Sequence, residues 1–366
     1  MANLIQSSGN SNKSAGKCSC SSTTDKSCSL EILEHPNKIT FDKTTKIDDK
    51  KRLLSRARRK YLSSNLSLQF INYLRVPTNP IPTNTDRERL IKSTWTWYNC
   101  ASALVLTDGK ITSKYCGSRM CFVCNGIRTA KHIKKYKPMM DEWENSHFIT
   151  LTLPNVNSTD LRRTIQYMNK TFGRIKQMLY KRELKGTGHK LVGIKKLECT
   201  YNNKTNLYHP HFHFILSSKE NGDDLLNEWL RRTKHLGTNR KAQDIRKVNK
   251  DMSLELFKYH TKLVSKTKDY SNNFILSNLN ILNSFRYVRT ISHFGFETQE
   301  EEEQLEDLSS EGIPNEMYDD DAVPETDVFN WIDKDWYSIT NGLPLTNHKP
   351  TDKMLDFMDE YSLPPP

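Results

Sequence analysis

Residues 191–216 constrain this chain more than any other stretch. Two alternating runs, 191–201 and 207–216, flank the turn-forming Asn202, Asn203 and Lys204, which predicts a β-hairpin. Side chains two apart on a strand share a face. His209, His211 and His213 therefore stand together, while Phe212, Phe214 and Leu216 face the opposite way and seat the strand in a core. If the hairpin folds about a centre near residue 204.5, paired residue numbers sum to 409 and Glu198 lies opposite His211. That register brings one carboxylate and two imidazoles together. Such a donor set suits a divalent ion such as Mg2+ or Mn2+ and leaves positions open for a phosphate oxygen. A slip of one residue would turn Glu198 away.

The surrounding pattern predicts a compact set of elements. A strand begins at Phe148, with Phe148, Thr150 and Thr152 on one face, Ile149, Leu151 and Leu153 on the other, and Pro154 and Asn155 ending it. Asn157 is placed to cap a helix whose Leu161, Ile165, Met168, Phe172, Ile175 and Leu179 recur at spacings of three and four. After the hairpin come a short helix at 223–232, a strand near 243–248 and a helix at about 252–268. This order predicts an α+β fold, an antiparallel sheet with helices packed on it. On the last helix Glu255, Tyr259 and Lys262 share a stripe, and Leu254, Phe257 and Val264 form an apolar one. A phenol is a weak nucleophile at neutral pH, but Lys258 and Lys262 would favour the phenolate of Tyr259.

Cys116, Cys121 and Cys124 form a C-x4-C-x2-C pattern, interleaved with Arg119 and followed by Arg128. Three thiolates leave a tetrahedral Zn2+ one ligand short, and Cys100, sixteen residues upstream, is the natural fourth, with His132 the substitute. Such a site has no open position, so its expected role is stability and DNA docking, with Arg119, Arg128 and Lys258 as DNA-contacting bases. Cys18, Cys20 and Cys28 lie in a polar N-terminal stretch and are read as incidental thiols.

Charge divides the chain sharply. Residues 297–366 hold 20 acids and 3 bases, so 52 of the 55 bases and 23 of the 43 acids fall in residues 1–296. A surplus of +29 there favours a polyanionic partner, nucleic acid first, because each neutralised phosphate releases counterions. The basic run Lys51–Lys60 is a helix that either contacts phosphates or is simply solvated. The N-terminus lacks the blocks of a signal peptide and no run of about 18 apolar residues exists, so the expectation is a cytoplasmic protein with no membrane association. The expected division is a disordered basic tail at 1–50, a basic zinc-binding module at 51–140, a catalytic core at 141–296, an acidic linker at 297–327 and a C-terminal tail at 328–366. Trp331, Trp336 and Tyr337 in that tail have no evident docking place.

Taken in order, these residues resemble the Rep initiators of small rolling-circle plasmids, HUH endonucleases with one catalytic tyrosine. Phe148 to Asn155 is similar to the family's Phe-x-Thr-x-Thr-x-Pro-Asn strand, and Glu198, Thr200, Tyr201 and Asn202 to its Glu-x-Thr-Tyr-Asn strand. His209 to His213 resembles its His-Pro-His-hydrophobe-His segment, and Lys258, Tyr259 and Lys262 its Lys-Tyr-x-x-Lys. Each motif is weak alone; the ordered set over roughly residues 95–270 is specific. The resemblance implies an HUH/ferredoxin-like core and a DNA nicking-closing endonuclease. It also implies that His211 and His213 hold a divalent cation and that Tyr259 becomes joined to a 5′ phosphate, freeing a 3′ hydroxyl primer. Glu255 takes the place of a water-activating glutamate. The implied partners are single- and double-stranded DNA at a replication origin, a host helicase and a single-strand-binding protein. Two other readings stand beside it: an HUH transposase or relaxase, and a non-catalytic zinc-dependent nucleic-acid-binding regulator.

Overall fold

The structure, a computed structural model, describes residues 46–107, 110–248, 256–257, 272–298, 327–352 and 354. The chain divides into Met1–Lys46 and Ile47–Pro366, and the architecture that follows is that of the second unit. Its elements are α1 (Lys46–Arg75), α2 (Arg87–Tyr98), β1 (Ala103–Thr107), β2 (Lys110–Ser113), α3 (Phe122–Asp141), β3 (His147–Thr152), α4 (Ser158–Leu184), β4 (Gly193–Asn202), β5 (Leu207–Leu216), α5 (Lys219–Thr233) and β6 (Asp244–Lys247). After these come α6 (Asn272–Ser284), β7 (Ile291–Phe294), β8 (Asp327–Ile332) and β9 (Asp335–Ser338). The fold is α+β, with two antiparallel sheets ordered β2-β1-β8-β9 and β6-β3-β5-β4-β7.

The predicted hairpin is β4 with β5, and Glu198 lies opposite His211. Its turn is closed by Asn202, whose side-chain oxygen accepts from the Lys204 and Thr205 amides at 2.9 and 3.4 Å. Asn206 takes the left-handed conformation (φ 54°), which asparagine tolerates better than most residues. On α4 all six apolar positions are buried, and they cover Phe212, Phe214, Leu197 and Leu151 on one face of the five-stranded sheet. Asn157 does stand at the N-cap of α4 with extended backbone, but its side chain makes no capping hydrogen bond. The helix predicted at 223–232 begins earlier, at Lys219, because Ser218 caps it by accepting from the Asn221 amide.

A second core gathers α1, α2, β1, β2 and the first half of α3. The C-terminal aromatics dock here: β8 pairs with β1, and the fully buried Trp336 donates its indole N–H to the Ala101 carbonyl at 2.8 Å. Buried Asp335 ties the returning chain by accepting from the Thr346 amide and hydroxyl and the His348 amide. Two helices join the cores. On α6, Ile275 and Leu279 belong to one core and Ile281 to the other. On α3, Cys124 and Ile127 sit in the first core, whereas Tyr136 and Met140 pack with Phe148, Ile194 and Ile215 on the second face of the five-stranded sheet. Leu256 and Phe257 are buried in that same cluster.

Of the tail predicted at 1–50, residues 46–50 instead begin α1, while residues 1–45 with Cys18, Cys20 and Cys28, most of the helix predicted at 252–268 and nearly all of the acidic stretch lie outside the described residues. Among the described residues no helix is long and apolar enough to cross a membrane.

Candidate metal centre

Strand alternation sorts the five-stranded sheet into a face covered by α4 and α5 and a second face, part of it packed by α3, that carries the polar groups. On the polar face β3 contributes Thr150 and Thr152, β5 the three histidines, and β4 Lys196 and Glu198. Glu198 Oε2 stands 3.5 Å from His211 Nε2 and 3.4 Å from His213 Nε2. Its other oxygen, Oε1, is bonded to the ammonium of Lys196, which is fully buried.

The remaining ring nitrogens are also engaged. His211 Nδ1 lies 2.9 Å from the His209 carbonyl oxygen, which only accepts, so Nδ1 carries the proton. The other ring nitrogen, Nε2, faces the Glu198 carboxylate. His213 Nδ1 lies 3.0 Å from the Thr150 hydroxyl. Metal-binding histidines are held in this way, with the outer nitrogen bonded and the inner one left to ligate.

Electrostatics agree with that arrangement. Burial alone would raise the Glu198 pKa, but His211, His213 and Lys196 outweigh it and hold the carboxyl well below the usual range. Burial lowers the His213 pKa against the pull of Glu198. Burial, then His211 and His213, brings His209 down to about 4. The site thus sets an ionised carboxylate against two imidazoles. Glu198, His211 and His213 have ligand atoms within 4.8 Å of one another and can hold a metal ion.

Lys196 escaped the sequence reading. Its signal was the same alternation that placed Glu198, since it lies two residues earlier on the same face. The predicted nucleophile and its helix neighbours, Tyr259, Glu255, Lys258 and Lys262, lie outside the described residues.

The second site is the four-cysteine cluster. Cys100, Cys116, Cys121 and Cys124 have their sulfurs within 4.8 Å of one another. Cys124 Sγ is 3.5 Å from Cys100 Sγ and 3.6 Å from Cys116 Sγ. A tetrahedral zinc with Zn–S of about 2.3 Å sets its sulfurs roughly 3.8 Å apart, so the donors fit that ion. The Cys116 amide donates to Cys100 Sγ, the Ser118 amide to Cys116 Sγ and the Ser63 hydroxyl to Cys121 Sγ, each at 3.4 Å. Burial resists ionisation of Cys121, but hydrogen bonds from Cys100, Cys116 and Cys124 prevail and hold its pKa well below the ordinary thiol value. His132, the substitute ligand, instead stacks on Tyr136 and Phe257.

Two of the expected DNA-contacting bases are placed otherwise. Arg119 donates to the carbonyls of Phe285 and Val288 at 2.9 and 2.8 Å, tying the cysteine loop to the connection between α6 and β7. Arg128 is buried and donates to the carbonyls of Gly117 and Ser118. Carbonyls left over at a tight loop claimed both guanidiniums. Lys60 of the basic run is buried as well, bonded to the Tyr98 carbonyl and the Ser102 hydroxyl, and burial brings its pKa down to about 8 against the pull of Cys100 and Cys121.

Fold and sites together define an α+β protein with a two-histidine, one-glutamate centre on one sheet and a four-cysteine, zinc-type site in the other core. Residues 110–222 match the family described as Replication protein. That segment holds Glu198, His211, His213 and three of the four cysteines. The chain is 36% identical over 108 residues to a "Protein rep" of Staphylococcus aureus, an alignment covering 28% of this chain and 44% of the relative. It is 26% identical over 160 residues to a "Protein rep" of Streptococcus pneumoniae, covering 39% and 48%, and 31% identical over 112 residues to one of Bacillus amyloliquefaciens, covering 29% and 32%. The chain thus spans less than half the length of these relatives. No solved structure matches it.

Proposed function

We propose that the protein initiates rolling-circle replication of a plasmid as an HUH nicking-closing endonuclease, cutting one DNA strand at the origin. The observation that carries this reading is the convergence of Glu198 Oε2 on His211 Nε2 and His213 Nε2 at 3.5 and 3.4 Å. When bound there, Mg2+ or Mn2+ supplies positive charge that polarises a phosphate oxygen.

The chain's own residues do the rest. Lys196 keeps Glu198 ionised, and Thr150 and the His209 carbonyl hold the imidazoles in orientation. Tyr259 is the nucleophile: its phenolate oxygen forms a bond to the scissile phosphorus as the bond to the 3′ oxygen breaks. The products are a 5′-phosphotyrosine and a 3′ hydroxyl that primes synthesis. Lys258 and Lys262 favour the phenolate, and Glu255 activates water to release the strand at termination. Tyr259 follows by two residues Phe257, which is buried on the same side of the sheet as the histidines; this supports its assignment. The cysteine site, loaded with Zn2+, stabilises the fold and helps dock DNA. A host helicase and a single-strand-binding protein complete the expected partners.

The test is incubation with Mn2+ and a single-stranded oligonucleotide carrying a hairpin origin. A covalent protein–DNA band that disappears in Tyr259→Phe is the expected result. DNA binding without an adduct across many substrates overturns the proposal in favour of a non-catalytic zinc-dependent regulator.

A further inference from the structure

The helix α4 has an outer surface that the centre on the opposite face of the sheet does not use. From Arg162 to Lys185, the residue that caps the helix, every exposed charged side chain is basic. Five of these bases, Arg163, Lys170, Arg174, Lys181 and Lys185, follow each other at steps of seven, four, seven and four. Such steps confine them to a wedge of about 60° around the helix, pointing away from the buried row that meets the sheet. The stripe spans about 33 Å along the axis at 1.5 Å per residue.

Like charges four apart on a helix destabilise it, and the pairs Lys170 with Arg174 and Lys181 with Lys185 are of that kind. Helix surfaces ordinarily offset such charges. The neighbouring α5 does so, pairing Lys219 with Asp223 and Arg231 with Glu228. None of the five α4 bases has an acidic partner among the described residues. A straight row of unneutralised bases is the electrostatic footprint of a polyanion.

From this we infer that the outer face of α4 is a second DNA-contact surface, one that binds the phosphate backbone of duplex DNA without reading its sequence. The row's length is close to one turn of duplex, about 34 Å. Its wedge holds no exposed aromatic side chain, whereas surfaces for single strands interleave aromatics for base stacking. The sheet lies between this stripe and the histidines, so the DNA on α4 is a different segment from the strand at the metal centre. The choice of DNA as the polyanion rests on the function proposed above; the stripe itself does not.

The experiment neutralises four of the bases together: Arg163→Gln, Lys170→Gln, Arg174→Gln and Lys181→Gln in the full chain. Binding of a fluorescein-labelled 30-base-pair duplex and of a single strand of equal length is followed by anisotropy over a salt series. Duplex affinity at 100 mM NaCl is expected to fall by roughly tenfold or more. The slope of log K against log salt is expected to decrease by about 3 to 4, near 0.9 per lost phosphate contact. Single-strand affinity should change by less than about threefold, since that strand is held elsewhere.

Unchanged duplex affinity and slope overturn the inference, as does an equal loss for both probes. A third overturning result is that the variant keeps the duplex but loses a peptide of residues 297–327, which would make the stripe a dock for the chain's own acidic segment. Arg163→Lys with Arg174→Lys, which retains the charge, should bind duplex as the parent does; loss of binding there also counts against the inference. The readout does not involve Tyr259, so a chain that forms no covalent adduct can still show the α4 effect.

Discussion

Lys196 lies two residues before Glu198 on the same face of β4, is fully buried, and bonds one oxygen of that carboxylate while the other faces His211 and His213. A single carboxylate thereby serves as counterion and as candidate ligand, and the balance of the two can be measured.

Replacing Lys196 by Met leaves Glu198 buried without its cation. Breaking a buried ion pair from one side costs about 3–5 kcal/mol, so Lys196→Met is expected to melt well below the parent in chelator. The same change removes a positive charge beside the donors. Added Mn2+ should therefore raise the melting temperature of Lys196→Met by more than it raises the parent's. A thermal shift series with and without Mn2+ checks both; equal Mn2+ shifts would refute the coupling.

Glu198→Gln keeps the shape but removes the charged donor. Mn2+ affinity, read by calorimetry or by the spin-resonance signal of free Mn2+, is expected to fall by about 10- to 100-fold, at least the loss known for outer groups that merely orient ligands. An affinity within twofold of the parent would exclude Glu198 as a ligand.

Cys124 stands between Cys100 and Cys116, so Cys124→Ser should disturb the cysteine site most directly. Bound zinc, measured by elemental analysis after dialysis, is expected to drop from about one per chain towards none. The first core should loosen with it, because structural zinc sites contribute folding energy directly. Stoichiometric zinc in that variant would contradict the assignment.

Trp336→Ala removes a fully buried indole and its bond to Ala101. Truncations of this size cost about 3–5 kcal/mol, and urea denaturation should show a loss in that range. A cost below 1 kcal/mol would mean that β8 and β9 are dispensable to the core they complete.

Much of the candidate centre was legible in the residues themselves. The His209–His213 alternation, the Asn202 turn and the resulting match of Glu198 to His211 all follow from a strand repeat of two, which is a property of the backbone. The helix repeat was equally legible in the row from Leu161 to Leu179. Less was legible where long-range partners decide. Arg119 and Arg128 read as DNA contacts, because an arginine beside a cysteine cluster looks the same whether it meets a phosphate or a carbonyl. In the structure the partners are backbone oxygens, two of them more than 160 residues away.

The sequence by itself therefore determined the strands at 148–153, 191–201, 207–216 and 243–248, the main helix, their inward faces and the hairpin register, since each depends on neighbours within one or two turns of chain. Only the tertiary structure decided that Lys196 is buried against Glu198, that His132 stacks on Tyr136 and leaves the fourth place in the cysteine cluster to Cys100, and that Trp336 docks 235 residues from its partner Ala101. Those contacts depend on which surfaces come to complement one another after the chain has closed on itself. Local periodicity says which side of an element is apolar, but it does not name the element that will cover it.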